Sequence, residues 1–167
     1  MKKGIMFLIL ILSSTIYSSA NEVTVDKLIN DYLALKNSLF KDNGDSARSN
    51  AKIFFRDLQD FKPDNLSGNA KKAYNQFVEK ISYDIEHIKE TTEIEHQREH
   101  FVTLSSNMYK LLQGLSKSSI KLYHQYCPMA NDGKGAYWLN ESEEIINPYM
   151  GSKMPKCGSV KDSLNVK

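Results

Sequence analysis

Residues 69–88 read NAKKAYNQFVEKISYDIEHI, and this stretch decides the fold. Its apolar residues recur every three or four positions, which is the spacing of one face of an α-helix. Three other segments share this period: one near Val25–Phe40, one from Asp45 to the residue before Pro63, and one that ends near Leu115. Four amphipathic helices with short connections predict a mainly α protein built as an antiparallel up-and-down four-helix bundle.

The pattern changes after Gly114, where apolar residues begin to alternate with polar ones. Residues 120–127 predict a short strand and residues 135–139 a returning strand, with the turn signal Asn-Asp-Gly at 131–133 between them. In residues 147–158, prolines and glycines interrupt any long element. These features predict a small C-terminal lobe made of a β-hairpin and loops.

The N-terminus has the pattern of an export signal. Lys2 and Lys3 precede an apolar run that is too short to span a membrane, and small residues end at Ala20. We therefore expect a periplasmic or otherwise exported protein that is soluble, with no membrane insertion after cleavage. Without the two lysines, basic and acidic residues are equal in number, so nucleic acid is not an expected partner. The predicted organisation is a signal peptide over residues 1–20 and one domain over 21–167, with the bundle at 24–116 and the lobe at 117–167.

The lobe carries the only two cysteines of the chain, and each has a methionine nearby. Cys127 is followed by Met129, and Met154 precedes Cys157. Thiolate and thioether sulfurs are the ligands that soft Cu(I) prefers, so a loop that brings these residues together would create a site for Cu(I) or Ag(I). The alternative is a disulfide, because exported proteins meet an oxidising compartment. A bridge that closes this loop of about 30 residues would stabilise the fold by about 3.5 kcal/mol.

Histidines form a second candidate cluster at one end of the predicted bundle. His96 and His100 are four residues apart and share a helical face. Antiparallel packing of the preceding helix would bring His87 close to them, so His87 and His100 are candidate supplementary metal ligands. The alternative is that these side chains are solvated or hydrogen-bonded to neighbours such as Glu99.

Catalytic patterns are weak in this chain. Residues 96–100 match His-x-x-Glu-His, a motif of one zinc protease class, but a bundle of this size offers neither a distant third ligand nor a large chamber. The sequence has no phosphate-binding glycine loop, dinucleotide fingerprint, Cys-x-x-Cys pair or haem-attachment motif. We therefore expect that the protein is not an enzyme.

Several motifs occur in a characteristic order. They are Gln97–Phe101 (QREHF), Tyr126–Ala130 (YCPMA), Gly135–Leu139 (GAYWL), and Asn147-Pro148-Tyr149 followed by Gly151, Met154, Cys157 and Gly158. Together they resemble a bacterial exported domain of uncharacterised function, which occurs alone and at the C-terminus of copper/silver efflux adaptor proteins. The resemblance covers most of the chain from Tyr32 onward. It implies heavy-metal handling in the cell envelope, with an efflux adaptor or another envelope protein as partner, and its pattern includes His87 and His100 more firmly than His96.

The two sulfur clusters are also similar to the ends of a short heavy-metal-binding domain found on copper pumps and adaptors. That domain opens Tyr-x-Cys-Pro-Met-His-Pro and closes Cys-Pro-x-Cys-Gly-Met. This chain departs from it at Ala130, Met154 and Ser159, where the domain has histidine, cysteine and methionine. A thioether in place of a thiolate implies a softer, less charged site, which suits Cu(I) or Ag(I) better than Zn(II).

Two functions are therefore expected to compete. In the first, the protein binds Cu(I) or Ag(I) for buffering, delivery or efflux. In the second, a Cys127–Cys157 disulfide staples an interaction module of the cell envelope that binds no metal. The predicted ligands for the first function are Cys127, Met129, Met154 and Cys157, with His87 and His100 as supplementary ligands.

Overall fold

The computed structural model describes residues 22–115 and 118–165, and the predicted export signal over residues 1–20 lies outside them. Within that part of the chain, none of the helices combines the length and apolar character that a membrane crossing requires. The helices are α1 (Val25–Phe40), α2 (Gly44–Asp60), α3 (Gly68–Glu90) and α4 (Ile94–Leu115), with short 3₁₀ turns at Pro63–Asn65 and Gly151–Lys153. The strands are β1 (Lys121–Cys127), β2 (Ala136–Asn140) and β3 (Ser159–Asn165). The prediction of a mainly α four-helix bundle with a small C-terminal β lobe is confirmed.

The helices form because each one buries a single apolar face. In α3, Ile81, Ile85 and Ile88 lie on the buried face, and burying such a side chain contributes about 2 kcal/mol. Side-chain oxygens of Thr24 and Asn43 accept backbone N–H groups in the first turns of α1 and α2, which caps both helices. Consecutive helices then pack against each other, as the short connections require.

Tyr32 connects the bundle core to the lobe. Its ring is fully buried and stacks on Phe101 at a centroid distance of 5.3 Å. Its hydroxyl lies 2.8 Å from the Ser105 hydroxyl and accepts the backbone N–H of Leu139 in β2 at 3.0 Å. Burial raises the pKa of Tyr32, so the phenol stays protonated and can keep both hydrogen bonds.

The lobe is a three-stranded antiparallel sheet with β1 between β2 and β3. The predicted hairpin is confirmed: Tyr126 in β1 pairs with Tyr137 in β2, and residues 131–133 turn the chain with positive φ angles. The structure adds an edge strand that the sequence did not predict. β3 has few apolar residues and is mostly exposed, so it has no alternating pattern, and its backbone ladder with β1 holds it in place.

Arg98 attaches the lobe to one end of the bundle. Its buried guanidinium donates to the carbonyls of Leu39 and Pro148, each at 2.9 Å, and pairs with the carboxylate of Asp42. Asp42 also accepts the backbone N–H of Ser152 at 2.9 Å. The lobe therefore docks against the first turns of α4, which also carry two of the candidate histidines.

Gly151 makes this docking possible. Its φ of +51° lies in the left-handed region, and a Cβ at this position would overlap the side chains of Asp42 and Arg98. A second anchor lies on the other side of the lobe, where the fully buried Lys36 donates to Asn140 and to Glu141. These directed polar contacts add to the apolar core that the lobe shares with the bundle, to which Leu122, Trp138 and Leu139 belong.

Candidate functional site

Cys127 and Cys157 form a disulfide, with their Cα atoms 5.8 Å apart. Cys127 is fully buried at the end of β1, and the side-chain amide of Asn147 donates to the carbonyl of Cys157 at 2.7 Å. The loop between the two cysteines therefore does fold back, as the sequence suggested. In this state neither sulfur is a thiolate, so the pair offers no thiolate ligand to a metal.

The two predicted methionine ligands lie in different surroundings. Met129 is 56% exposed and lines a cavity of about 410 Å³ between α4 and the lobe. The other methionine that lines this cavity is Met150, whereas Met154 lies outside the lining. The ligand set of Cys127, Met129, Met154 and Cys157 stays a prediction for the reduced protein.

The histidines do come together on the bundle, as their spacing predicts. His87 in α3 and His100 in α4 stack with ring centroids 4.5 Å apart. His96 meets His100 edge-on at 4.9 Å and lies 3.6 Å from the carboxylate of Glu99. Three imidazoles from two helices thus form one cluster, which we call the histidine cluster.

Each of the two stacked rings is held through its Nδ1 atom. Nδ1 of His87 lies 2.9 Å from the backbone carbonyl of Tyr83, one helical turn earlier, so this nitrogen carries the proton and donates. Nδ1 of His100 lies 3.2 Å from Oδ1 of the buried Asp84. A hydrogen bond to a carbonyl or carboxylate at one ring nitrogen is the usual support of a metal-binding histidine, because it leaves the other nitrogen as the ligand. In both rings Nε2 is the nitrogen available to a metal.

Asp84 is a carboxylate on the apolar face of α3. Burial raises the pKa of Asp84, while hydrogen bonds from Thr103 and His100 oppose that rise. An ionised carboxylate at this depth is stabilised by positive charge nearby, which a protonated imidazole or a metal-bound imidazole would supply. Burial therefore disfavours the charge of Asp84, and its hydrogen-bond partners Thr103 and His100 partly offset this effect.

In the cluster, two imidazoles have their Nδ1 atoms held by hydrogen bonds. In residues 22–115 and 118–165, no set of three or more histidine, cysteine, aspartate or glutamate side chains converges on one point in the manner of a closed metal site. The cluster is also open, since the side chains of His100 and His96 are 18% and 45% exposed. Such a site can receive and release an ion, but it does not enclose one.

His124 lies apart from the histidine cluster. Its ring stacks between Tyr109, at 3.8 Å, and Tyr137, at 4.6 Å, where the sheet meets α4. Burial lowers the pKa of His124, although the nearby Asp162 opposes that change. His124 therefore packs in a stack of aromatic rings. It can serve as a control when the other three histidines are tested for metal binding.

Three supporting residues were missed from the sequence: Asp84, Tyr83 and Met150. A signal existed for Asp84, because a carboxylate on an apolar helical stripe needs a partner. No signal existed for the carbonyl of Tyr83, which is backbone. Met150 lies in an irregular loop, so its position depends on how the lobe docks.

Residues 28–119 match the family described as "Protein of unknown function (DUF3347)". The match covers more than half of the chain, contains the histidine cluster, and ends before Cys127. None of the curated proteins and none of the solved structures compared with the chain matches it.

Proposed function

The chain belongs to the DUF3347 family, and we propose that it is an exported protein that binds Cu(I) or Ag(I) at His87 and His100. The observation that carries the proposal is the anchoring of both rings through Nδ1, by the Tyr83 carbonyl and by Asp84. Solvated histidines on a helix have no need of a buried carboxylate behind them. The support for the two rings matches the arrangement that orients histidine ligands in metal sites.

The low number of ligands favours a soft monovalent ion. Imidazole is a good ligand for copper, and filled-shell ions such as Cu(I) and Ag(I) accept few ligands. His96 adjoins the pair and can act as a third ligand if it leaves Glu99. An open site of this kind suits buffering and delivery, with an efflux adaptor or another envelope protein as the receiving partner.

A second function is favoured by a different observation. The Cys127–Cys157 disulfide and the docked lobe account for both cysteines without a metal. In this alternative, the protein is a disulfide-stapled interaction module of the cell envelope that binds no metal. The histidine cluster would then be a surface feature of the bundle.

The decisive experiment is a titration of the disulfide-intact protein with Ag(I) against a competing chelator. We expect ¹⁵N resonances of the His87 and His100 imidazoles to shift, while those of His124 stay unchanged. His87→Gln and His100→Gln should each weaken Ag(I) binding at the histidine cluster, followed by the ¹⁵N shift of the remaining imidazole, by about 100-fold, and Asp84→Asn by about 10-fold, because Asp84 orients a ligand without being one. The glutamine and asparagine variants should keep the circular dichroism of the native helices.

Two outcomes would contradict the histidine site. If the metal binds only after reduction of the disulfide, and Cys127→Ser abolishes that binding, then the sulfur ligands form the site. If neither the oxidised nor the reduced protein retains Ag(I) at micromolar concentration, then the interaction module is the better account.

A further inference from the structure

The cavity between α4 and the lobe has an unusual lining. Two of its lining residues are methionines, Met129 and Met150, which come from opposite ends of the lobe loop. Met129 is more than half exposed, so burial of apolar surface does not explain its position. The floor is formed in part by Tyr149, which is buried.

Both methionines sit on segments that the disulfide and short hydrogen bonds hold in place. Met129 begins the turn after Cys127, and this turn is closed by a hydrogen bond from Gly135 N to the Ala130 carbonyl at 2.9 Å. The backbone N–H of Met150 donates to Oδ1 of Asn147 at 3.1 Å. The same Asn147 binds the carbonyl of Cys157, as described above. The two sulfurs are therefore presented by backbone that is ordered before any ligand arrives.

Three acidic residues line the cavity. Glu95 and Glu99 come from the first turns of α4, and Asp132 comes from the hairpin turn. Lys153 and Arg98 line the cavity as well, and the guanidinium of Arg98 contacts the α1 end and the lobe and pairs with the carboxylate of Glu95 at 3.1 Å. The carboxylates of Glu99 and Asp132 favour a cation in the cavity, and methionine thioethers favour a soft one.

We propose that this cavity is a second binding site, for a soft monovalent cation such as Cu(I) or Ag(I), with the thioethers of Met129 and Met150 as its ligands. The site differs from the sulfur set expected from the sequence, because it keeps Met129, takes Met150 in place of Met154, and uses neither cysteine. It forms while the disulfide is intact.

The second site lies across α4 from the histidine cluster. Glu99 lines the cavity and its carboxylate also lies 3.6 Å from the His96 ring. Residues of α4 therefore contribute to both sites. The carboxylate of Glu99 lies between them, on the way of an ion that passes from one site to the other. The methionine site does not depend on the histidine site, and the two can be tested separately.

The test is a methyl spectrum of the disulfide-intact protein labelled with [methyl-¹³C]methionine and titrated with Ag(I) in chloride-free buffer. We expect the methyl signals of Met129 and Met150 to move together. The signals of Met154 and of the buried Met108 should stay in place. Met129→Leu and Met150→Leu should each weaken this binding at least tenfold, and leucine keeps the side-chain volume and the fold. Met154→Leu is the matched control and should leave the affinity unchanged.

Binding at the methionine site can be distinguished from binding at the histidine site with a double variant. In a His87→Gln/His100→Gln variant, the shifts of Met129 and Met150 should persist. Loss of those shifts in that variant would overturn an independent methionine site. Equal shifts at Met154, or full affinity in both leucine variants, would also overturn it.

Discussion

The bundle and the lobe of this protein differ in the interactions that stabilise each of them. The bundle buries many apolar side chains at helical spacing, such as Leu28, Phe54 and Leu104, and each of them is one contributor among many. The lobe adds fewer apolar side chains to the same core, such as Trp138 and Leu139, and relies as well on single directed contacts, chiefly the Cys127–Cys157 disulfide and the Arg98 hydrogen bonds. A substitution in a repeated apolar face removes one contact among many, whereas a directed contact is lost completely when one of its partners is removed.

This difference also separates the two proposed metal sites. The histidine cluster is built from α3 and α4, so it should survive changes in the lobe. The Met129 and Met150 cavity lies between bundle and lobe, so it requires the lobe to be docked. Changes to the lobe therefore test which site depends on which region.

Removal of the disulfide should have the largest effect. We expect a Cys127→Ser/Cys157→Ser variant to lose about 3.5 kcal/mol of unfolding free energy, because the closed loop of 30 residues gains entropy in the unfolded chain. The far-ultraviolet circular dichroism of the helices should be retained at low denaturant. Fluorescence of Trp138, which is fully buried in the lobe, should change at a lower denaturant concentration. Coincident loss of both signals would show instead that bundle and lobe unfold as one unit.

Gly151→Ala should have the next largest effect, with Gly68→Ala as its matched control. The two glycines have φ angles of +51° and +54°, so alanine meets similar backbone strain, about 1 kcal/mol, at both. Nothing lies within 4 Å of a Cβ at position 68, whereas a Cβ at 151 would displace Asp42 and Arg98. We expect Gly151→Ala to lower the unfolding free energy, measured with denaturant, by about 3 kcal/mol, because the docking contacts are lost as well. Equal losses for the two variants would mean that the docking contacts add nothing.

The helices could be predicted because their apolar residues recur every three or four positions. This spacing also creates the apolar face through which the helices pack. The hairpin could be predicted from alternation and from the Asn-Asp-Gly turn at 131–133. β3 could not, because an exposed edge strand with only Val160 and Leu164 as apolar side chains is held by backbone hydrogen bonds that leave no pattern.

The same reasoning applies to the candidate sites. Helical spacing was sufficient to predict that His87, His96 and His100 lie close together. His96 and His100 are four residues apart on one helical face, and antiparallel packing places His87 of the preceding helix beside them. Spacing could not show that Arg98 points into the lobe, because a charged helical residue usually lies in solvent. The partnership of Met129 with Met150 follows from that docking, so it was beyond reach of the sequence as well.

Tyr32→Phe should measure how much one hydrogen bond between the bundle and the lobe contributes to stability. Loss of the hydroxyl leaves the buried N–H of Leu139 without the partner that it has at 3.0 Å. We expect a loss of about 1.5 kcal/mol in unfolding free energy. Tyr74→Phe is the control, because Tyr74 is half-buried and packs its ring on Phe61; its change should be about 0.5 kcal/mol or less. A Tyr32→Phe protein as stable as the control would mean that water or a backbone shift satisfies Leu139.

Acid should loosen the lobe before it unfolds the bundle, and Asp42 is one of the carboxylates that should contribute. Burial opposes ionisation of Asp42, but hydrogen bonds from Ser152 and Arg98 outweigh it and lower its pKa from 3.8 to about 2. A carboxyl whose pKa is lower in the folded protein stabilises it above the unfolded value, and that contribution is lost as the pH falls from about 4 to about 2. The side chain is 35% exposed, so solvent screening limits the effect to less than about 1 kcal/mol. Asp42→Asn should remove this part of the pH dependence of Trp138 fluorescence, and an unchanged acid transition in that variant would assign the loosening to other carboxylates.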